Sequence, residues 1–246
     1  MPEKAASRGL VMPAVAAACA FAILIGLGTW QVRRLAWKEA LIATVSARFA
    51  APPTPLPAPD EWARLNAEQD EFRRVVVSAR FLNDKEALVY TTGSSLRAGE
   101  SGPGYWVFTP ARFDGGTVMV NRGFVPQGRQ DPATRREGEV TGPVQIVGVL
   151  RWPERPGLFT PAADPANNLW FARDPAAIAA AKVVGPVAPF YIEQEAPPAA
   201  GGLPQVGALQ PSFPNNHLGY AITWYGLALV LVVIFGVWAA GRRRGR

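Results

Sequence analysis

The sequence holds one cysteine and one histidine in 246 residues. The cysteine, Cys19, lies in an apolar run near the start, so the chain can close no disulfide on itself and build no cysteine-rich metal site. A zinc site of ordinary type needs several His or Cys ligands. A Ser–His–Asp triad would have to use His217, which borders a second apolar run. There is no phosphate-binding glycine loop and no dinucleotide fingerprint. Ser94 or Ser95 with Lys85 is the remaining nucleophilic pairing, set against a plainer reading of these residues as surface turn and strand edge. These shortages point away from an enzyme.

Charge is also unevenly supplied. The net charge is +6, yet residues 31–217 hold 19 Lys/Arg and 18 Asp/Glu, a balance of +1, while the ends hold six basic residues and one acid, a balance of +5. The basic excess therefore flanks the apolar runs, where it orients membrane segments. No basic stripe with interleaved aromatics is present, so nucleic acid is not an expected partner.

What is abundant is apolar sequence at both ends. Gly9–Val32 carries no charge, and its core, Leu10–Thr29, is twenty residues long. At about 1.5 Å per residue this matches a hydrocarbon layer of about 30 Å. Pro13 is expected in the first turn, where a missing N–H costs little. Eight Leu/Ile/Val/Phe residues give roughly −2 to −5 kcal/mol for insertion. Leu218–Ala240 has eleven such residues, roughly −3 to −7 kcal/mol. Tyr220, Trp224 and Tyr225 near one end and Trp238 near the other suit interfacial belts. Arg242, Arg243, Arg244 and Arg246 place the C-terminus in the cytoplasm. Residues 1–9 are then cytoplasmic, 10–29 and 218–240 span, 30–217 form a periplasmic domain, and 241–246 a cytoplasmic basic tail. Lys4 and Arg8 before the first span agree with this orientation; Arg33, Arg34 and Lys38 after it oppose it locally. The alternative for the first run is a cleaved signal peptide, against which its apolar length argues. The Ala/Pro/Arg-rich character fits a bacterial protein.

Between the spans, Trp30, Arg34, Trp37, Leu41, Val45 and Phe49 recur at helical steps, so the first helix is expected to continue out of the bilayer. APPTPLPAPD at 51–60 breaks it as a stiff, extended connector. Asp60 is expected to cap a short helix through Trp62 and Leu65. Strands are expected at Arg73–Phe81, Ala87–Thr92, Tyr105–Phe113, Thr117–Val125, Val144–Trp152 and Pro189–Gln194. Asp114-Gly115-Gly116 reads as a tight hairpin turn, and Asp174-Pro175 begins a short capped helix. Ala196–Pro214 reads as a linker back to the membrane. The fold class is a membrane protein with two transmembrane α-helices and an intervening α+β domain, a mainly antiparallel β barrel or sandwich with short flanking helices.

His217 carries two readings. It is either a polar residue at headgroup level, or an axial ligand to haem iron, which one His can hold in a largely apolar slot. Tyr220, Trp224 and Tyr225 follow on the same helical face, and Arg33, Arg34, Arg122 or Arg151 could pair the propionates.

GTWQVRRLAWKEALI (28–42), VNRGFVP (120–126), GVLR (148–151) and NNHLGYAITWYGLALV (215–230) resemble the surfeit locus protein 1 (Shy-type) family of cytochrome c oxidase assembly factors. The resemblance covers the whole chain, with the motifs in the family's order. It implies an inner (cytoplasmic) membrane location, or the mitochondrial inner membrane in a eukaryote. The central domain would then be periplasmic or in the intermembrane space. It implies haem a binding and help in placing haem a in oxidase subunit I, with haem a synthase and other oxidase assembly factors as further partners beside membrane lipid. The family's proposed haem ligand falls on His217. A scaffold that steadies an oxidase intermediate without touching haem is the alternative. Asn121 and Gly123 in VNRGFVP either permit a strand bulge or touch a ligand. Trp30, Gln31 and Arg34 form either a docking surface or a helix junction. Gln31 and Asn216 are candidates to join the two spans.

Overall fold

A computed structural model describes residues 3–93, 101–207 and 214–244. The chain separates into two compact units, Met1–Thr44 with Phe213–Arg246, and Val45–Ser212.

The first unit is a helix pair. Helix α1 runs Glu3–Ala50, so Pro13 lies well inside it and not in its first turn as expected. In lipid such a proline is tolerated because neighbouring groups re-satisfy the freed carbonyl. The last helix, here α4 and numbered after two short helices introduced below, runs His217–Arg244. Both are long and apolar enough to cross a membrane. Their outward residues are apolar and exposed, with Leu229 at 65% and Ile234 at 62%. A core helix of a water-soluble protein would bury that surface; here it stays open, as suits a helix that faces lipid. The seam between the two is narrow. Ala221 and Ala228 of α4 are buried. Gly28 of α1 admits the Tyr225 ring, since a Cβ there would stand 2.7 Å from Tyr225 Cε1. Small residues allow this close approach, and a few hydrogen bonds add to it. The helices run antiparallel, with Gln31 opposite His217 and Thr29 opposite Tyr225.

The second unit is a barrel. Its strands are β1 (Thr54–Pro55), β2 (Arg74–Phe81), β3 (Ala87–Gly93), β4 (Ser101–Phe113), β5 (Gly116–Pro126), β6 (Val144–Arg151), β7 (Leu169–Trp170) and β8 (Tyr191–Ala196). They pair in the order β1-β2-β6-β8-β5-β4-β3-β7, and β2 also pairs β4. That extra pairing closes β2, β6, β8, β5 and β4 into a ring, which removes open edges. Most pairings are antiparallel, and β1–β2, β3–β7 and β5–β8 are parallel. All six expected strands form. The two unexpected ones are two residues long and sit at the edges, one within the proline-rich connector, where a missing N–H is tolerated.

Alternation decides which side chains enter the ring. Val75, Val77, Ala79 and Phe81 of β2 meet Val118, Val120, Ile146, Leu150 and Ile192 inside it. On the opposite face Val89, Phe108, Met119 and Tyr191 are covered by Trp170 and by Ile178. Ile178 belongs to helix α3 (Pro175–Ala181), capped as expected by Asp174, which accepts from Ala176 and Ala177 N–H. Asp60 does not cap a helix. The single turn at Trp62–Arg64 has Glu61 at its cap position with no side-chain bond, and helix α2 (Ala67–Asp70) is capped by Asn66. The expected linker after Ala196 is partly structured, since Gln205 exchanges backbone hydrogen bonds with Phe124 at 2.7 and 2.9 Å.

Candidate functional site

The motif around His217 is organised by the end of the helix pair. His217 is the first residue of α4. Asn216 precedes it, and its carbonyl accepts from Tyr220 N–H at 3.2 Å, the first bond of the helix. His217 is half-buried. Its Nδ1 lies 2.7 Å from Oε1 of Gln31, and Gln31 is 9% exposed. With the amide oxygen facing the ring, Nδ1–H is the donor; in the neutral tautomer that fits this bond the lone pair is on Nε2. Among the described residues Nε2 has no hydrogen-bond partner. A carbonyl-type acceptor on one imidazole nitrogen is the arrangement that orients the other toward a metal.

Gln31 thus joins the two helices, with His217 as its partner, while Asn216 stays exposed. Two further bonds hold the same junction. Tyr225 and Thr29 hydroxyls are 3.1 Å apart, and Lys38 Nζ donates to the carbonyl of Pro214. The sequence marks Lys38 only as a basic residue beyond the first span and Thr29 only as the end of that span. Their position ties them to Gln31, two residues before and about two turns after it on one helix.

The aromatic residues divide. Trp224 is half-buried below His217, and Tyr225 turns to α1. Tyr220 is 55% exposed and lines, with Asn215, Asn216, Gly219 and Thr223, an open concavity of about 480 Å³. That volume is in the range of ligand pockets. His217 itself does not line it. Asn215 Oδ1 is buried there without a partner among the described residues. On α1, Trp30 is exposed and the Arg34 guanidinium stacks on the Trp37 ring at 3.9 Å. Trp37 and Leu41 are exposed, while Val45, further along the expected face, is buried.

The barrel claims the other two arginines. Arg122 is buried, donates to Asn83 Oδ1 at 3.2 Å and to the Gly138 carbonyl, and lies over the Phe81 ring. Burial, reinforced by Arg135 and opposed by Glu86 and Glu139, lowers its pKa to about 10. Both terminal nitrogens of its guanidinium are thus bonded within the domain. Arg151 donates from Nε to Glu71 at 3.0 Å and lies over Phe72. The remainder of VNRGFVP supports the fold. Gly123 has φ +117°, its N–H donates to Asn121 Oδ1 at 3.1 Å, and Asn121 Nδ2 donates to Glu193 at 2.9 Å. This is the bulge reading of that motif. Arg135 and Glu86 form a buried bidentate pair that no local pattern marks, because the partners are far apart along the chain. Lys85 pairs with its neighbour Asp84 at 3.7 Å, and Ser94 and Ser95 lie outside the described residues.

Comparison with known proteins gives a consistent result. The family model described as the SURF1 family matches residues 18–229. The chain is similar to surfeit locus protein 1 of Mus musculus, 37% identical over 218 residues, covering 84% of this chain and 69% of that protein. It is similar to surfeit locus protein 1 of Homo sapiens, 37% identical over 216 residues, with 82% and 69% covered. A SURF1-like protein of Monosiga brevicollis is 35% identical over 231 residues, with 91% and 85% covered.

Proposed function

This chain belongs to the SURF1 family, and from that membership we propose that it is a membrane-tethered assembly factor of cytochrome c oxidase that holds haem a through His217 and releases it to oxidase subunit I. The observation that carries this reading is the Gln31–His217 hydrogen bond at 2.7 Å. It leaves Nε2 with its lone pair at the end of two helices suited to a bilayer, where a hydrophobic porphyrin can lie against apolar surface with its propionates toward water. Arg34, one turn beyond Gln31 and exposed, is the cation best placed on this helix to meet a propionate. Haem iron supplies the redox chemistry of the finished oxidase; the chain's own task is to hold, shield and release. A single-histidine site is weaker than a two-histidine site, which is what a donor to a two-histidine acceptor requires. The domain lies on the periplasmic side of an inner membrane in this reading, on the strength of the arginines that follow α4.

The test is the absorption spectrum of full-length protein purified from cells that make haem a. The wild-type protein carries the haem bands and His217→Ala loses them. Gln31→Leu, which frees Nδ1 without removing the ligand, keeps haem with a shifted spectrum and a higher dissociation rate. Normal haem content and oxidase maturation with His217→Ala would sink the reading. A second reading, a scaffold that docks an oxidase intermediate without haem, is favoured by the exposed Trp30, Trp37 and Leu41 on α1. It predicts co-purification of subunit I with a protein that carries no haem band.

A further inference from the structure

The barrel unit carries one ordered turn whose chemistry is unlike the rest of its surface. Thr160 N–H donates to the Gly157 carbonyl at 3.1 Å, and Gly157 N–H donates to Thr160 Oγ1 at 2.8 Å. The central residues of this closed turn are Leu158 and Phe159, and each is 93% exposed. The other exposed large apolar side chains described in Val45–Ser212 are Tyr90 at 39% and Val183 at 85%. The turn is held by its own hydrogen bonds, with Pro156 and Pro161 stiffening both arms. The two side chains contribute nothing to the core, in a place where turn chemistry ordinarily selects polar residues.

Within the tip itself the charge is positive, with Asp164 beyond its far arm. From Arg155 to Ala163 the single charged residue is Arg155, which is exposed. The neighbouring carboxylate, Glu154, is turned back onto Arg173 at 2.5 Å. The domain that bears this tip is joined at both its ends to helices long and apolar enough to cross a membrane. A lipid surface is therefore tethered to it, and a second, weak contact with that surface becomes an intramolecular event.

We propose that Leu158 and Phe159 form a membrane-insertion tip, with the two apolar side chains entering the headgroup boundary and Arg155 pairing lipid phosphate. A convex tip of two residues suits a fluid medium that closes around it. A protein anchor is instead surrounded by a ring of contacts that excludes water, and the flanking prolines and glycine offer no such ring. The proposal does not depend on haem, so its failure leaves the reading of His217 untouched.

The test uses the full chain with Cys19→Ser, so that a single nitroxide label can be placed by Phe159→Cys or, as a water-exposed control, by Asp84→Cys. Both are reconstituted in vesicles of phosphatidylethanolamine with phosphatidylglycerol. The label at 159 is expected to collide with oxygen in preference to a water-soluble nickel chelate, and the label at 84 to show the reverse. Arg155→Glu should reduce the lipid signature at 159 in both lipids, and more in these anionic vesicles than in phosphatidylcholine. A label at 159 that behaves like the one at 84 overturns the proposal. So does one shielded from both reagents, which would mean a protein contact. Both substituted positions are exposed, so neither threatens the fold.

Discussion

In the barrel, Arg135 and Glu86 close on one another; in the helix pair, the polar residues stand at one end of the seam and leave one imidazole nitrogen without a partner among the described residues. Arg135 and Glu86 are both buried and bidentate, and Arg122 is engaged by Asn83, Gly138 and the Phe81 ring. His217, by contrast, has one ring nitrogen bonded to Gln31 and the other free of partners among the described residues. Most polar groups in a domain interior find a partner, though Arg135 Nε, Arg151 Nη1 and the Tyr191 hydroxyl are buried without one among the described residues; a buried charge that is paired, as Arg135 is with Glu86, holds the fold. A group left with unused capacity in a shaped, half-buried place is a functional candidate. VNRGFVP is held inside the barrel by its own hydrogen bonds, while NNHLGY keeps an unpartnered imidazole nitrogen at the end of the helix pair.

The largest effect expected on this contrast comes from breaking the buried pair. Glu86→Ala leaves Arg135 charged and unpaired inside the barrel, and should cost about 3–5 kcal/mol in a denaturant melt of the full chain in detergent. Haem content at His217, measured in the folded protein, should be unchanged. If loss of Glu86 removed haem as readily as loss of His217, the division between the two regions would be wrong.

A smaller effect concerns pH. Burial pushes the Tyr191 hydroxyl up to about 12, with Arg173 and Arg151 opposing. The folded state then holds a proton that the unfolded chain gives up from about pH 10, so this contribution to stability is present below pH 10 and is lost as pH rises toward 12. Arg122, whose folded pKa is lowered to about 10 by burial, acts in the opposite direction over the same alkaline range. Tyr191→Phe isolates the tyrosine. Relative to the variant, the wild-type protein should lose about 2 kcal/mol of unfolding free energy between about pH 10 and 12. Parallel pH profiles would show that Tyr191 does not ionise differently in the two states.

The smallest effect is expected in the helix pair. Tyr225→Phe removes the bond to Thr29 and keeps the ring against Gly28. Such a bond between membrane helices is worth about 0.6 kcal/mol, read as a slight shift in unfolding of the protein in mixed micelles. A loss as large as that of Glu86→Ala would mean that the helix seam is held like a protein core.

Much of this was legible along the chain. The two apolar runs announce α1 and α4 because a bilayer sets their length. The strands of the ring follow from alternating β-branched and aromatic residues, and α3 from Asp174 and Pro175. What escaped notice depends on partners distant in sequence. Closure of β2 on β4 rests on Arg80 and Phe81 meeting Arg112 and Ala111, which no local pattern encodes. The two-residue strands β1 and β7 are too short to show a period. Arg122 and Arg34 look alike in sequence, yet one is enclosed and the other exposed. Pro13 lies inside α1 and not in its first turn because Glu3 to Arg8, too polar to belong to the apolar run, are helical as well.

By itself, then, the sequence determined two lipid-suited helices, a β-rich module between them and a solitary imidazole at the start of the second helix. These depend on periodicity, length and composition, which are local and additive. Only the tertiary structure decided which polar residues are used up in holding the fold and which remain available. Hydrogen-bond satisfaction depends on partners brought together across the chain, such as Gln31 with His217, and no single segment carries that information.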